Sequence, residues 1–180
     1  MTGVLGGLIA AFPTPVTSSY ESIATVTAAG VETSLNFTSI LGTYKSLQIR
    51  GFFLSSGGGG GSMRFNSDTG SNYARHYLGG NGSSAFAGGS ATQTLMTTAD
   101  QSGSTYNSVI LIDIIDYAST TKNKTMRAWN GYDFNAAGSS TYMYSGLWMS
   151  TSAITSIQLG TGLFGGTFDA GSTFALYGVK

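Results

Sequence analysis

The chain has 180 residues, enough for one domain with a real core and too few for two comfortable ones. Eight basic and eight acidic residues give zero net charge and there is no run of Lys or Arg, which excludes nucleic-acid binding by phosphate neutralisation. With no cysteine, disulfides, zinc–thiolate sites and thiol nucleophiles are excluded, while 12 % aromatic and 41 % hydrophobic residues oppose a disordered composition.

Residues 1–20 read as an N-terminal attachment arm. Val4, Leu5, Leu8, Ile9 and Phe12 make its apolar part, and Pro13 and Pro15 make an extended link, because Pro-x-Pro fixes φ and blocks a helix. The apolar run lacks a basic leader and is too short for a bilayer, so neither a signal peptide nor a membrane anchor is expected. A monomer gains little by exposing it, so the arm is expected to dock on a neighbour or on its own core. Charged residues are only 9 % of the chain, against roughly 25 % in an average protein, and so weak a surface charge favours life inside an assembly.

Residues 21–180 carry the grammar of a single all-β domain. Runs at 22–27 and 33–37 are short and β-rich. The 44–54 run alternates, with Leu47, Ile49 and Phe53 on one face and Ser46, Gln48 and Arg50 on the other. The glycine run at 57–62 reads as a flexible connection, 63–65 as a resumed strand, and 73–78 as a strand after a polar turn. Residues 79–105, rich in Gly, Ser, Thr and Ala, read as loops and weak strands. The 108–117 run, SVILIDIIDY, is apolar at both parities, with Val109, Leu111, Ile115 and Tyr117 on one face and Ile110, Ile112 and Ile114 on the other, and so predicts a strand buried on both faces. Further strands are expected at 123–132, 142–149, 154–159 and 173–179, the last pinning the C-terminus into a sheet. Roughly ten short strands with Gly-rich turns and no long helix predict an antiparallel β-sandwich or jelly roll.

The candidate chemistry is thin. His76 is the only histidine, and no G-x-S-x-G elbow accompanies it, so it reads as a structural or surface residue. Asn66, Asp68, Gly70 and Asn72 alternate somewhat like a calcium loop but lack its closing Glu, and a polar turn explains them as well. Asp113, in an otherwise apolar strand, requires a partner such as Arg127 or Lys124. Tyr132, Phe134, Tyr142, Tyr144 and Trp148 suit either a sugar platform or, as the favoured reading, sandwich core or subunit contact.

Four stretches carry a family likeness: YESIATVTAAGVETSLNFTSILGTYKSLQIRG, MRFNSDTGSNYARHYLGGNGS, VILIDIIDYASTTKNKTMRAWNGYD and GLWMSTSAITSIQLGTGLFGGTFDAGSTFALYGVK. They resemble a β-sandwich domain of tailed-bacteriophage virion proteins, found in tail-fibre-like proteins and in capsid decoration (cement) proteins, including those of cyanophages. The framework positions of the likeness are Asp113, Asp116, Tyr117, Lys122, Lys124, Trp148 and Tyr177. The resemblance implies a module without enzyme activity that assembles, commonly as a trimer. The short arm suits the decoration form. The expectation is therefore a homotrimer on the outer capsid surface of the virion that bridges major capsid protein subunits, with no cofactor, metal, nucleic acid or membrane. The alternative is a tail-fibre or baseplate module that recognises host-surface glycans; a polysaccharide hydrolase is the weakest reading.

Overall fold

A computed structural model describes residues 18–56, 59–100, 105–135 and 138–180. The arm residues Val4, Leu5, Leu8, Ile9, Phe12, Pro13 and Pro15, and part of the glycine run, lie outside the described residues. The strands are β1 (Tyr20–Thr27), β2 (Ser34–Phe37), β3 (Ser46–Phe53), β4 (Ser55–Ser56), β5 (Gly61–Phe65), β6 (Tyr73–Gly80) and β7 (Ala85–Gln93). They continue with β8 (Met96–Thr97), β9 (Ser108–Ile115), β10 (Lys124–Tyr132), β11 (Ser140–Trp148), β12 (Ile157–Thr161), β13 (Thr167–Phe168) and β14 (Thr173–Val179).

The expected all-β sandwich is what forms. One antiparallel sheet has eight strands in the order β1-β14-β3-β9-β10-β11-β6-β7. A second has four, β2-β12-β5-β8, and β13 pairs with β4 as a small third sheet. The C-terminus is held as anticipated: β14 lies between β1 and β3, Lys180 N–H donates to Ser19 O at 3.0 Å, and Lys180 Nζ meets Glu21 Oε2 at 2.5 Å.

The core lies between the two larger sheets. Leu47, Ile49, Ile110, Ile112, Ile114, Met126, Phe174 and Leu176 come from the large sheet, and Leu35, Phe37, Met63, Phe65, Ile157 and Leu159 from the small one. Two aromatic groups fill it. Phe53 sits 6.0 Å from Phe168 and 5.9 Å from Phe174, while Phe65 sits 5.5 Å from Trp148 and 6.5 Å from Tyr73, centroid to centroid. These spacings suit edge-to-face and offset contacts between rings. The Tyr73 hydroxyl accepts from Phe65 N–H at 3.0 Å, and burial pushes its pKa up to about 12.

Three expectations fail, each for a physical reason. First, β9 is buried on one face only. Ile110, Ile112 and Ile114 point inward, whereas Val109 is 62 % and Ile115 49 % exposed, because the four-stranded sheet covers one side of the large sheet and nothing in the described chain covers the other. Second, Tyr117 does not share the outward parity of Val109. Asp116 adopts φ 56°, ends the strand and turns Tyr117 into the core, where its hydroxyl donates to Leu41 O at 2.6 Å and accepts from Tyr44 N–H at 3.0 Å. Third, residues 85–93 form a nine-residue edge strand rather than a weak one. Its sequence, AFAGGSATQ, has little β-propensity of its own, and pairing with β6 imposes the conformation.

Candidate assembly surface

Side chains alternate across a sheet, so the register fixes which residues share the uncovered face. One row crosses it through successive register partners: Arg50 on β3, Leu111 on β9, Trp129 on β10, Met143 on β11, Leu78 on β6 and Ala87 on β7. Trp129 is 59 % and Leu78 54 % exposed, and Phe52 and Val109 extend the apolar area on one side. Exposed apolar side chains are common singly; a contiguous row across five strands makes this face the candidate contact surface.

The neighbouring row is polar: Tyr177, Gln48, Asp113, Arg127, Ser145 and His76. It is built as a chain of contacts. The Arg50 guanidinium lies 4.8 Å from the Tyr20 ring and 5.0 Å from the Tyr177 ring, a cation–π arrangement. Arg50 Nε donates to Gln48 Oε1 at 2.6 Å, and Gln48 Nε2 donates to Asp113 Oδ1 at 2.7 Å. Arg127 Nη2 then reaches Asp113 Oδ2 at 3.3 Å. Asp113 thus has the Arg127 partner its sequence position requires, although it is half-buried on the outer face rather than in the core. An exposed ion pair of this kind adds at most about 1 kcal/mol to stability, so the ladder serves chiefly to hold charges in fixed places beside the apolar row.

The framework residues of the family likeness divide into three groups. Asp113 and Tyr177 belong to the ladder. Asp116 and Lys122 form an exposed ion pair at 3.3 Å across the turn from β9 to β10. Tyr117, Lys124 and Trp148 are buried. Lys124 Nζ donates to Lys122 O at 2.6 Å and Ser150 O at 3.3 Å, and burial pulls its pKa below the usual lysine value.

The polar turn at 66–72 is wired inward. Asp68 accepts from Gly70 N–H at 2.8 Å, Asn72 Nδ2 at 2.9 Å and Trp148 Nε1 at 2.7 Å. Burial raises the Asp68 carboxyl, but these three donors outweigh it and leave the pKa below its ordinary value. Its oxygens are engaged in the protein's own turn, as a polar β-turn requires. His76 is exposed, with Ser145 and Gly89 as its register partners, and among the described residues no group of three or more His, Asp or Glu converges as a metal-binding set would.

Trp129, Met143, Leu78 and Phe52 are the surface residues that sequence reading missed. The signal was present in KTMRAWNGY, where Met126, Ala128 and Asn130 take the inward parity and leave Trp129 outward. No protein-family model, curated protein or solved structure matches the chain.

Proposed function

We propose that this protein is a non-enzymatic structural component of a bacteriophage virion, a homotrimeric capsid decoration protein that bridges major capsid protein subunits. The observation that supports it best is the uncovered face of the large sheet, an apolar row flanked by an ordered charge ladder on a chain with few charges. Aromatic residues, Met and Arg are the side chains enriched in protein interfaces, and Trp129 at the centre of the row has the character of a hot spot.

A second copy of the chain is the occupant this face fits. It carries Asp113 and Arg127 side by side, so one copy offers a cation to the anion of the next. It also carries a projecting ring, Trp129, beside a shallow apolar depression formed by Phe52, Val109, Leu111 and Ala175. Around a three-fold axis, part of one copy's face meets a different part of the next and the ring closes. The arm, with Val4, Leu5, Leu8, Ile9 and Phe12, then attaches each copy to the capsid. Each such side chain contributes about 1.5–3 kcal/mol on burial, and three linked arms add avidity. The resemblance to phage virion proteins supports the same reading.

The test is to mix the purified protein with undecorated capsids and image them. A trimeric density over the head is expected, together with a trimer mass by light scattering, and loss of binding without loss of fold when residues 1–15 are removed. A protein that stays monomeric at high concentration, or full capsid occupancy by the truncated chain, would overturn the reading.

A further inference from the structure

The large sheet is eight strands wide and the small one four, so the large sheet overhangs. The small sheet ends at β8, opposite β6 and β11, and beyond that edge the inner side chains of β11, β6 and β7 have no sheet above them. Tyr142, Tyr77 and Phe86 are only half-buried there. They form one aromatic wall backed by the buried Tyr144: Phe86 and Tyr142 centroids are 5.1 Å apart, Tyr142 and Tyr144 5.7 Å, and Tyr77 and Tyr144 5.7 Å.

At the foot of this wall stand three polar side chains. Asp100 Oδ2 accepts from the Tyr142 hydroxyl at 2.5 Å, and Asp100 N–H donates to Asn130 Oδ1 at 3.0 Å, which fixes the carboxylate's position. Burial and then Asp100 hold the Tyr142 hydroxyl protonated, with its pKa well above the ordinary tyrosine value. Arg75 Nη1 donates to Thr97 Oγ1, and the Arg75 guanidinium lies 5.9 Å from the Tyr77 ring. Arg75 Nε is buried without a hydrogen-bond partner, as is the nearby Ser62 Oγ. The groove continues past Arg75 and Asp100 onto bare backbone at Gly59, Gly60 and Gly162. A Cβ on Gly60 would come within 2.4 Å of Ala99 O, so glycine keeps this end open there, and Leu163 borders it.

The geometry points to a binding site for a neutral pyranose oligosaccharide in this groove. The rings supply flat apolar faces for the C–H side of a sugar, and the adjacent carboxylate and guanidinium supply an acceptor and a donor for its hydroxyls. An aromatic lining with a few fixed polar groups is the usual make-up of a small-ligand site. Asp100 and Arg75 balance in charge, so the groove has no net attraction for an anionic sugar, and the elongated groove suits a chain of sugars rather than one. The site lies on the opposite side of the large sheet from the apolar row, so it remains open when that row is covered by another copy.

The experiment is saturation-transfer NMR on the full-length protein with maltotriose, isomaltotriose, chitotriose and a galactan trisaccharide as neutral probes, and a hexuronate trimer as the acidic one. At least one neutral probe is expected to bind, and Asp100→Asn and Arg75→Gln each to weaken it about tenfold or more, as removing a charged hydrogen-bond partner does. Circular dichroism confirms that each variant is folded, and Val31→Ser, at an exposed position outside the groove, leaves binding unchanged. Binding by no neutral probe, preference for the hexuronate, or undiminished binding in both folded groove variants would overturn the assignment. A monomeric protein that still binds the sugar would separate this site from the assembly reading.

Discussion

Trp148 Nε1 donates to Asp68 Oδ2 at 2.7 Å, and so ties the end of β11 to the 66–72 turn. The indole is buried against Phe65 and Tyr73, and its N–H needs an acceptor there. Replacing Asp68 with Ala orphans that donor and releases Asn72 and Gly70, so a loss of about 1.5–3 kcal/mol in urea unfolding is expected. The pH dependence has a definite sign. The folded carboxyl titrates below its ordinary value of 3.8, so its stabilisation is complete above that pH and fades as pH falls through the lower, folded value. The stability gap between the native chain and Asp68→Asn should therefore narrow below about pH 4; a gap that widens in acid would contradict the linkage.

Trp129 and Ile112 lie on neighbouring strands and opposite faces of one sheet, which separates assembly from folding. Ile112→Ala opens a void between the sheets and should cost about 2–5 kcal/mol. Trp129→Ser removes an exposed ring and should change the stability of the isolated chain by no more than about 0.5 kcal/mol, yet abolish the trimer. Light scattering reads the second effect and urea unfolding the first. An unchanged oligomer mass in Trp129→Ser would remove the apolar row from the interface.

Where the sequence was legible, alternation and burial agreed. In β3 the predicted inward Leu47, Ile49 and Phe53 are all buried, although Gln48 on the opposite parity is buried too, and in β6 Tyr73 and Arg75 face away from His76 as their parity requires. In β9 the pattern was ambiguous in principle. Apolar residues at both parities signal two covered faces, and sequence does not say whether the second cover comes from the same chain or another. β7 was illegible because its pairing, not its side chains, makes it a strand. The groove was half visible: Tyr142 was marked as part of a possible sugar platform, but Tyr132, Tyr144 and Trp148, grouped with it, are buried, and Arg75, Thr97 and Asp100 arrive from separate segments. Register and the unequal widths of the two sheets bring them together, and neither is written in local spacing.

Gly51 marks a place where the sheet admits no side chain. It sits on the inner face of β3 between β14 and β9, and a Cβ there would come within 2.4 Å of Phe174 Cδ1 and 2.7 Å of Thr173 O. Neither neighbour yields easily, since Phe174 is packed against Phe53 and Phe168 and the oxygen is backbone. Gly51→Ala should cost about 1–3 kcal/mol. Gly146→Ala meets first the Met96 Sδ at 2.3 Å, the flexible end of a side chain, and should cost less. Equal losses in the two variants would show that the Phe174 cluster rearranges as freely as a methionine.

Lys124 is a buried cation with no carboxylate in contact; it is held by two carbonyls, Lys122 O and Ser150 O. Lys124→Met keeps the length and apolar stem but strips both carbonyls of their donor, and should destabilise by about 1–3 kcal/mol near neutral pH. Burial lowers the folded pKa of Lys124 below its usual 10.5. Between the folded and unfolded values the unfolded chain binds more protons, so stability rises with pH in that window. The neutral amine still has two hydrogens to donate to the two carbonyls, while its desolvation cost is gone. The native chain should therefore gain on Lys124→Met as the pH is raised toward 10.5, in paired urea titrations. A native chain that instead loses ground to Lys124→Met over that range would mean that the ammonium, rather than the hydrogen bonds of the amine, holds the turn between β9 and β10 against the end of β11.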